Sequence, residues 1–414
     1  MSLDSTLARV ARPRLFRTLE SWEVGQLLIH LPDGEVRRFG PTDAHPCSEV
    51  FIERESFFRK LALGGDMGVG ESYMDGDWRA DDLPRFVSLA LQNRRHLPLE
   101  TPLSKLLNLG HDLFHRLRAN TRQGSRRNVR DHYDLSNALF ELFLDETLTY
   151  SSAFFEWRGQ DLADAQRAKY RRLADKLEIG ARDRVLEIGC GFGGFAIFAA
   201  REYGCRVTGI TLSKAQHDLA WQRVAEAGRG HRVEIRLQDY RDLSGAYDKI
   251  VSIEMFEALG REHWRTFFEK CEQVLVGEGR IALQTISIPS FRFEEYTRHC
   301  DWLQRYIFPG SLLASIHHVT GSMVAAGTLG VHHLEDIGIH YAETLARWRR
   351  RFLGRLDAVR ALGFDERFIR MWDYYLSTCQ AAFATRTLGN LQWVLTRPGN
   401  AALPGIPAHR AQAA

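Results

Sequence analysis

The segment Val185–Ala200, VLEIGCGFGGFAIFAA, constrains this chain more than any other. It reads as an apolar strand, a glycine turn and a helix. Gly189, Gly191 and Gly194 satisfy G-x-G-x-x-G. Glycines there admit positive φ and let a ligand approach the backbone closely. The downstream sequence repeats the alternation. Strands are predicted at Val185–Gly189, Val207–Thr211, Val233–Gln238, Lys249–Ile253 and Arg280–Thr285. Helices are predicted at Phe195–Tyr203, Lys214–Ala227 and Glu262–Leu275. This β-α-β-α order implies an α/β fold, a doubly wound parallel sheet with helices on both faces. A ligand of such a sheet sits beyond the carboxyl end of the first strand.

Two ligand classes fit a glycine turn of this kind. A dinucleotide would put its pyrophosphate on the helix N-terminus and its ribose on an acid ending the second strand. Here that strand ends in Thr211, not in an acid. Glu187 lies inside the first strand, where a carboxylate opposes a pyrophosphate but suits a cation. Asp239 follows the third strand, within reach of an adenine amino group or a ribose hydroxyl. These residues favour S-adenosylmethionine, with its sulfonium and ammonium, over a nicotinamide cofactor.

The 414 residues suit two domains. Residues 1–125 form an N-terminal accessory domain with strands at Leu27–Leu31, Val36–Phe39 and Glu49–Ile52. The glycine-rich run Leu61–Trp78 reads as a tight connection into an amphipathic segment, Leu83–Leu91. Residues 126–397 form the second domain, in which Pro289–Leu329 breaks the alternation and reads as a cover over the sheet. Residues 398–414, rich in Ala, Pro and Gly, are expected to be disordered. Six cysteines without a CxxC pair suggest reduced, buried thiols and no metal site. No run of about 18 apolar residues lacks charge, and the N-terminus has no apolar signal core, so a cytoplasmic protein is expected. Arg116–Arg130 holds six Arg and no acid, and Arg347–Arg355 holds five Arg and no acid. Such groups are solvated faces or surfaces for anionic phosphates.

Eight segments in order resemble one family: HYDLSNALFELFLDETLTYSSAFFE from His132, VLEIGCGFGG, ITLSKAQ from Ile210, QDYRDL from Gln238, VSIEMFEALG from Val251, DWLQRYIFPG from Asp301, HYAETLARW from His340 and YYLSTCQAAF from Tyr374. Together they resemble the cyclopropane-fatty-acyl-phospholipid synthases and related S-adenosylmethionine-dependent lipid methyltransferases, over roughly residues 60–395. The resemblance implies a class I methyltransferase-like sheet with a smaller N-terminal domain and a cover insertion. It also implies methyl transfer to the double bond of unsaturated phospholipid acyl chains. An isolated alkene is a weak nucleophile, so the site must align a strong electrophile and exclude water. The resulting carbocation suits aromatic faces, and a base must then remove a proton. In that family the base is thought to be a bound bicarbonate.

On the cofactor side the resemblance carries over to Tyr150, Ser151, Gly189, Gly191, Thr211, Leu212, Gln216, Asp239, Tyr240 and Ile253, beside the independently read Glu187. On the anion side it carries over to Glu257, Tyr341 and the backbone of Ile286, and Cys379 matches a cysteine sometimes assigned to the active site. Four positions depart. Ser152 stands where the family has Cys, Ala258 and Gln284 where it has His, and Glu254 where it usually has Gly. A backbone donor survives Cys→Ser, and Gln284 still donates but cannot titrate as His does. Glu254 either points back to pair with an Arg or faces the cavity near Glu257. In the second case it weakens bicarbonate binding and can itself relay a proton. The product is therefore a ring, a methylated alkene or a methylene branch. For such a lipid substrate the arginine groups Arg116–Arg130 and Arg347–Arg355 are expected to give peripheral contact with an anionic membrane at its inner face; no nucleic-acid partner is expected, and a homodimer is left open. An amine N-methyltransferase is the alternative, since a plant alkaloid branch shares these motifs.

Overall fold

The computed structural model describes residues 3–96 and 137–403. The expected boundary near residue 125 and the arginine group 116–130 lie outside the described residues. The chain opens with a helix, Leu3–Leu19, which the charged sequence hides. Ala11, Leu15, Phe16 and Leu19 form its buried stripe, at the spacing of one helical face. Strands β1 (Gln26–His30), β2 (Val36–Phe39), β3 (Cys47–Ile52) and β4 (Trp78–Ala80) make a small sheet in the order β2-β1-β3-β4.

The glycine-rich run is not a connection. It folds as parts of two helices, Ser56–Gly64 and Asp66–Met74, followed by β4. Gly68 and Gly70 serve close packing. A Cβ at Gly70 would lie 2.4 Å from Cδ1 of Trp302 on the cover segment. One helical turn beyond the Trp302 ring, the Tyr306 hydroxyl donates to Glu71 at 2.6 Å. The N-terminal segment also grips the C-terminal helices, for Tyr73 donates to Asp373 at 2.7 Å and Arg349 pairs with the same carboxylate at 2.6 Å.

The large sheet holds β5 (Arg184–Ile188), β6 (Arg206–Thr211), β7 (Val233–Leu237), β8 (Tyr247–Ile253), β9 (Leu275–Ser287), β10 (Gly330–Asp336) and β11 (Gly389–Thr396), in the order β10-β11-β9-β8-β5-β6-β7. The five strands from β5 to β9 are parallel, and β11 runs antiparallel to both β9 and β10. The sheet is thus mixed at one edge rather than wholly parallel. Neither of the last two strands reads as an apolar run. β10 is mostly exposed, and β11 buries Asn390 and Gln392. The chain order reverses beside β5, which opens a crevice at its carboxyl end. The cover 289–329 contributes three short helices, Phe293–Tyr296, Trp302–Tyr306 and Ile316–Ala326. Helices Gly338–Leu353, Leu356–Ala361 and Glu366–Ala384 fill the connection from β10 to β11. The first residues expected to be disordered are instead a turn, because the Asn400 amide binds the carbonyl of Glu278 at 3.0 Å and the Thr396 hydroxyl at 2.7 Å.

The Gly70–Trp302 contact gives a stability test. Gly70→Ala is expected to cost about 1–3 kcal/mol through overpacking. Gly321→Ala, in a helix with open space at its Cβ, should raise stability by roughly 0.5–1 kcal/mol. Urea unfolding midpoints check both signs.

Candidate active site

A cavity of about 170 Å³ lies at the carboxyl ends of β5, β6 and β8. The glycine loop forms its floor. Gly189 has φ +84°, and a Cβ there would lie 2.6 Å from Met255 Cγ, so neither the conformation nor the space admits a side chain. Gly191, Tyr150 and Ser151 complete that wall. Thr211 donates to Gln216 at 2.8 Å and accepts from the Ser213 amide at 3.1 Å, which fixes the far end. Leu212, Tyr240 and Ile253 supply apolar walls.

Asp239 does not line this cavity. Its carboxylate is bound by Arg241, Nε at 2.9 Å and Nη2 at 2.6 Å, and also caps the turn by accepting from the Arg241 amide. Gln238 and Arg241 reach the wall instead. Glu187 does face the cavity. It is 3% exposed, and its Oε2 has no hydrogen-bond partner. Burial pushes its carboxyl up to about 8, against the pull of Lys169. An unpartnered buried acid beside a glycine loop fits a ligand with cationic ends. S-adenosylmethionine fits here, with Glu187, Gln216 and the loop backbone as its holders and an electrophilic methyl as the chemistry it supplies.

A second group meets the cavity at the end of β8. Glu254 follows β8 directly, with φ +50°, a left-handed conformation that is uncommon for a residue with a side chain. It does not pair with an Arg. Its Oε1 accepts from the Ser152 amide at 3.0 Å, the Gln284 side chain at 2.8 Å and the Asn390 side chain at 2.6 Å. The Tyr341 hydroxyl binds the same carboxylate. Gln284 is held in turn by Gln392 at 3.0 Å. Ser152 takes part through its backbone alone, since its hydroxyl donates to the Ala153 carbonyl at 2.9 Å.

Glu257 lies beside this group. Its Oε1 accepts from the Ile286 amide at 2.5 Å, and its buried Oε2 has no partner. Burial, and after it the negative charge of Glu254, push Glu257 up to about 8. Glu257 therefore holds its proton at neutral pH. Ala258, where the family has His, lines the cavity without a polar group. The donors expected around a bound bicarbonate, namely the residue-152 backbone, position 284 and Tyr341, are directed onto Glu254 instead, so this set does not fit a separate anion. Cys379 lies in the aromatic cluster beside Tyr341 and off the cavity wall, where burial drives its thiol far up. It is a neutral packing residue. Aromatic rings crowd the site. Tyr150 stacks on Trp348 at 5.3 Å and shares a 2.7 Å hydrogen bond with Tyr375, and Tyr341 stacks on Phe383 at 4.5 Å.

Two residues escaped the sequence reading. Asn390 sits on the polar side of β11, a side that is buried here. Lys169 is fully buried on helix Leu162–Leu177, lines the cavity, and donates to the Ser151 hydroxyl at 2.8 Å. The available signal was a lysine within the apolar stripe Leu162, Ala165, Leu173, Leu177.

The sheet order, the crevice at β5 and the glycine loop define a class I S-adenosylmethionine-dependent methyltransferase. The sequence pattern of the mycolic acid cyclopropane synthetase family matches residues 120–393, and the chain belongs to that family. It is 41% identical over 361 residues to tuberculostearic acid methyltransferase UfaA1 of Mycobacterium tuberculosis, covering 84% of this chain and 83% of that one. It is 35% identical over 355 residues to the cyclopropane-fatty-acyl-phospholipid synthase of Escherichia coli K12, covering 84% and 88%. The solved mycolic acid cyclopropane synthase CmaA1, complexed with SAH and CTAB, superposes with TM-score 0.61 at 31% identity, over 66% of this chain and 98% of that one. The protein is an S-adenosylmethionine-dependent enzyme that modifies lipid double bonds, and the amine N-methyltransferase alternative is not favoured.

Glu257 sets a pH-dependent stability. In the folded chain it stays protonated until about 8, whereas unfolded it ionises near its ordinary value of 4.5. The unfolded state therefore gives up its proton first as pH rises, and stability falls between those two values. Glu257→Gln removes this loss. Its gain in stability over the parent should grow by a few kcal/mol, on the order of magnitude only, from about pH 5 to about pH 8. Thermal unfolding of the ligand-free protein across that range is the check, and a constant difference would contradict the assignment.

Proposed function

We propose that this chain methylates the double bond of unsaturated phospholipid acyl chains. In this reading Glu254 accepts the proton in place of a bound bicarbonate, and the added carbon remains as a branch rather than closing a ring. The observation that carries the reading is the Glu254 carboxylate, seated among Ser152, Gln284, Asn390 and Tyr341. A left-handed, non-glycine residue costs of order 1–3 kcal/mol and persists where the surroundings over-determine it, commonly at functional sites.

The alkene π pair forms the new C–C bond as the S–CH₃ bond breaks, leaving a thioether and a cation on the neighbouring chain carbon. The ring of Tyr150, on the cavity wall, suits that cation. Loss of one proton to Glu254 restores a double bond and completes the balance. Glu257, already protonated, adds no second negative charge to trap the cation. A base fixed to the wall by three donors on one oxygen cannot follow the transferred carbon as a free anion can, which favours proton loss along the chain. The relative UfaA1 is likewise named as a methyltransferase, not as a cyclopropane synthase.

The reading also includes contact with an anionic membrane at its inner face. Arg347 and Arg349 are engaged internally, with Glu343 and Asp373, while Arg350 and Arg355 are exposed and available to headgroup phosphates. Among the described residues no helix is long and apolar enough to cross a membrane.

The test uses vesicles of monounsaturated phospholipid, methyl-labelled S-adenosylmethionine and bicarbonate-free buffer. Turnover should persist, and proton NMR of the extracted lipid should show branched olefinic signals. Upfield cyclopropane protons would refute the branch, and strict dependence on added bicarbonate would refute Glu254 as base. Glu254→Gln should lose about 10²–10⁴-fold in turnover. Glu254→Gly, which reopens the anion site, should regain activity with added bicarbonate.

A further inference from the structure

A row of polar side chains crosses the large sheet, and neither the cofactor assignment nor the proton step uses its outer end. Glu335 of β10 lies opposite Gln392 of β11, and Gln392 lies opposite Gln284 of β9. Directly opposed residues share one face of a sheet. Over that face, helix Leu162–Leu177 carries Lys176. Lys176 donates to the Glu335 carboxylate at 2.7 Å and to the Gln392 side-chain oxygen at 2.8 Å. Gln392 donates to the Gln284 side-chain oxygen at 3.0 Å, and Gln284 donates to Glu254 at 2.8 Å. An unbroken chain of hydrogen bonds thus runs from the edge of the sheet to the carboxylate at the end of β8. Both glutamines are wholly buried, so each amide depends on its neighbours in this chain. Lys176 itself does not line the cavity.

We infer that Lys176 is a positioning residue for Glu254, acting at a distance by fixing the direction of the two amides between them. The inference rests on the reading of Glu254 as the proton acceptor. A primary amide can present either its oxygen or its nitrogen to a neighbour, whereas an ammonium only donates. Lys176 therefore requires the oxygen of Gln392. That leaves the Gln392 nitrogen for Gln284, which answers with its oxygen and turns its own nitrogen to Glu254. The direction matters at the end of the proton step. Glu254 then carries a proton, and a Gln284 free to turn over would accept a hydrogen bond from it and hold the spent carboxyl. Turning over would also set the Gln392 nitrogen against the Lys176 ammonium, two buried donors with no acceptor between them, which is costly. The Gln284 N–H thus stays on Glu254 throughout. This favours loss of the proton to water as the product leaves, and the acceptor returns for the next turnover.

Variants of the full chain separate direction from packing. In Lys176→Met the apolar stem is kept and Arg172 still pairs with Glu335, so the fold is retained. On monounsaturated phospholipid vesicles its kcat should fall about 10- to 10²-fold. KM for the vesicles and the affinity for S-adenosylmethionine, by calorimetry, should stay at the parent's values. Lys176→Arg, also a donor only, should restore most of kcat. Gln392→Met should lower kcat to a similar extent. Adding Lys176→Met to it should lower kcat no further, because the chain is already cut. Parent-like kcat in Lys176→Met, a loss shared equally by kcat and both affinities, or losses that multiply in the double variant would each overturn the inference and leave Glu254 as base. Full turnover by Glu254→Gln would instead remove the reading beneath it, whatever Lys176→Met shows.

Discussion

Three donors converge on one oxygen of Glu254, and each comes from a different part of the chain. Ser152 belongs to the turn ahead of helix Leu162–Leu177, Gln284 to β9, and Asn390 to β11. A carboxylate facing a low-dielectric cavity is tolerated only where its lone pairs are filled. Filling them here fixes the end of β8 against two neighbouring strands and the cofactor-side turn. The site is therefore an arrangement of the sheet itself. Displacing any one of these segments would leave a polar group unpaired at the place where charge must be controlled.

The antiparallel edge makes this possible. In a wholly parallel sheet every strand would bring its carboxyl end to the crevice. β11 instead brings its beginning, with Asn390 opposite Ile286 and Gln392 opposite Gln284 in register. Two amides thus enter from the side opposite the glycine loop. One donates to Glu254, and the other orients Gln284 so that its amide nitrogen points at the same oxygen. The cover reaches the site from above, where the Leu312 amide donates to the Glu257 carbonyl at 2.8 Å. It also meets the N-terminal segment, at Gly70 and Glu71.

The central strands and helices were legible because burial on both faces leaves near-continuous apolar runs, and the glycine turn fixes their order. Glu187 and Gly189 could be placed for the same reason, whereas Tyr150, Thr211 and Gln216 rested on the family resemblance. The edge was not legible. In β11, Asn390 and Gln392 alternate with Leu391, Trp393 and Leu395, but this polar face is buried at the site and not solvated, which the sequence alone does not announce. Leu61–Trp78 misled in the opposite direction, since Gly65 and Gly76 do turn the chain but Gly70 admits a neighbouring ring inside a helix. Asp239 was placed on the adenine side by its position after β7, but Arg241, two residues on, engages its carboxylate. Lys169 is harder to find than these, because a lysine in a helix reads as solvated unless the apolar stripe is drawn first.

A base carried on the chain and a base borrowed from solution solve the same problem at different cost. A free anion must be bound anew and can leave with its proton, so its occupancy depends on concentration. A side chain is present in every molecule and loses little entropy on use, in the manner of any intramolecular group. It brings a permanent negative charge, however, and here a strained backbone at φ +50° as well.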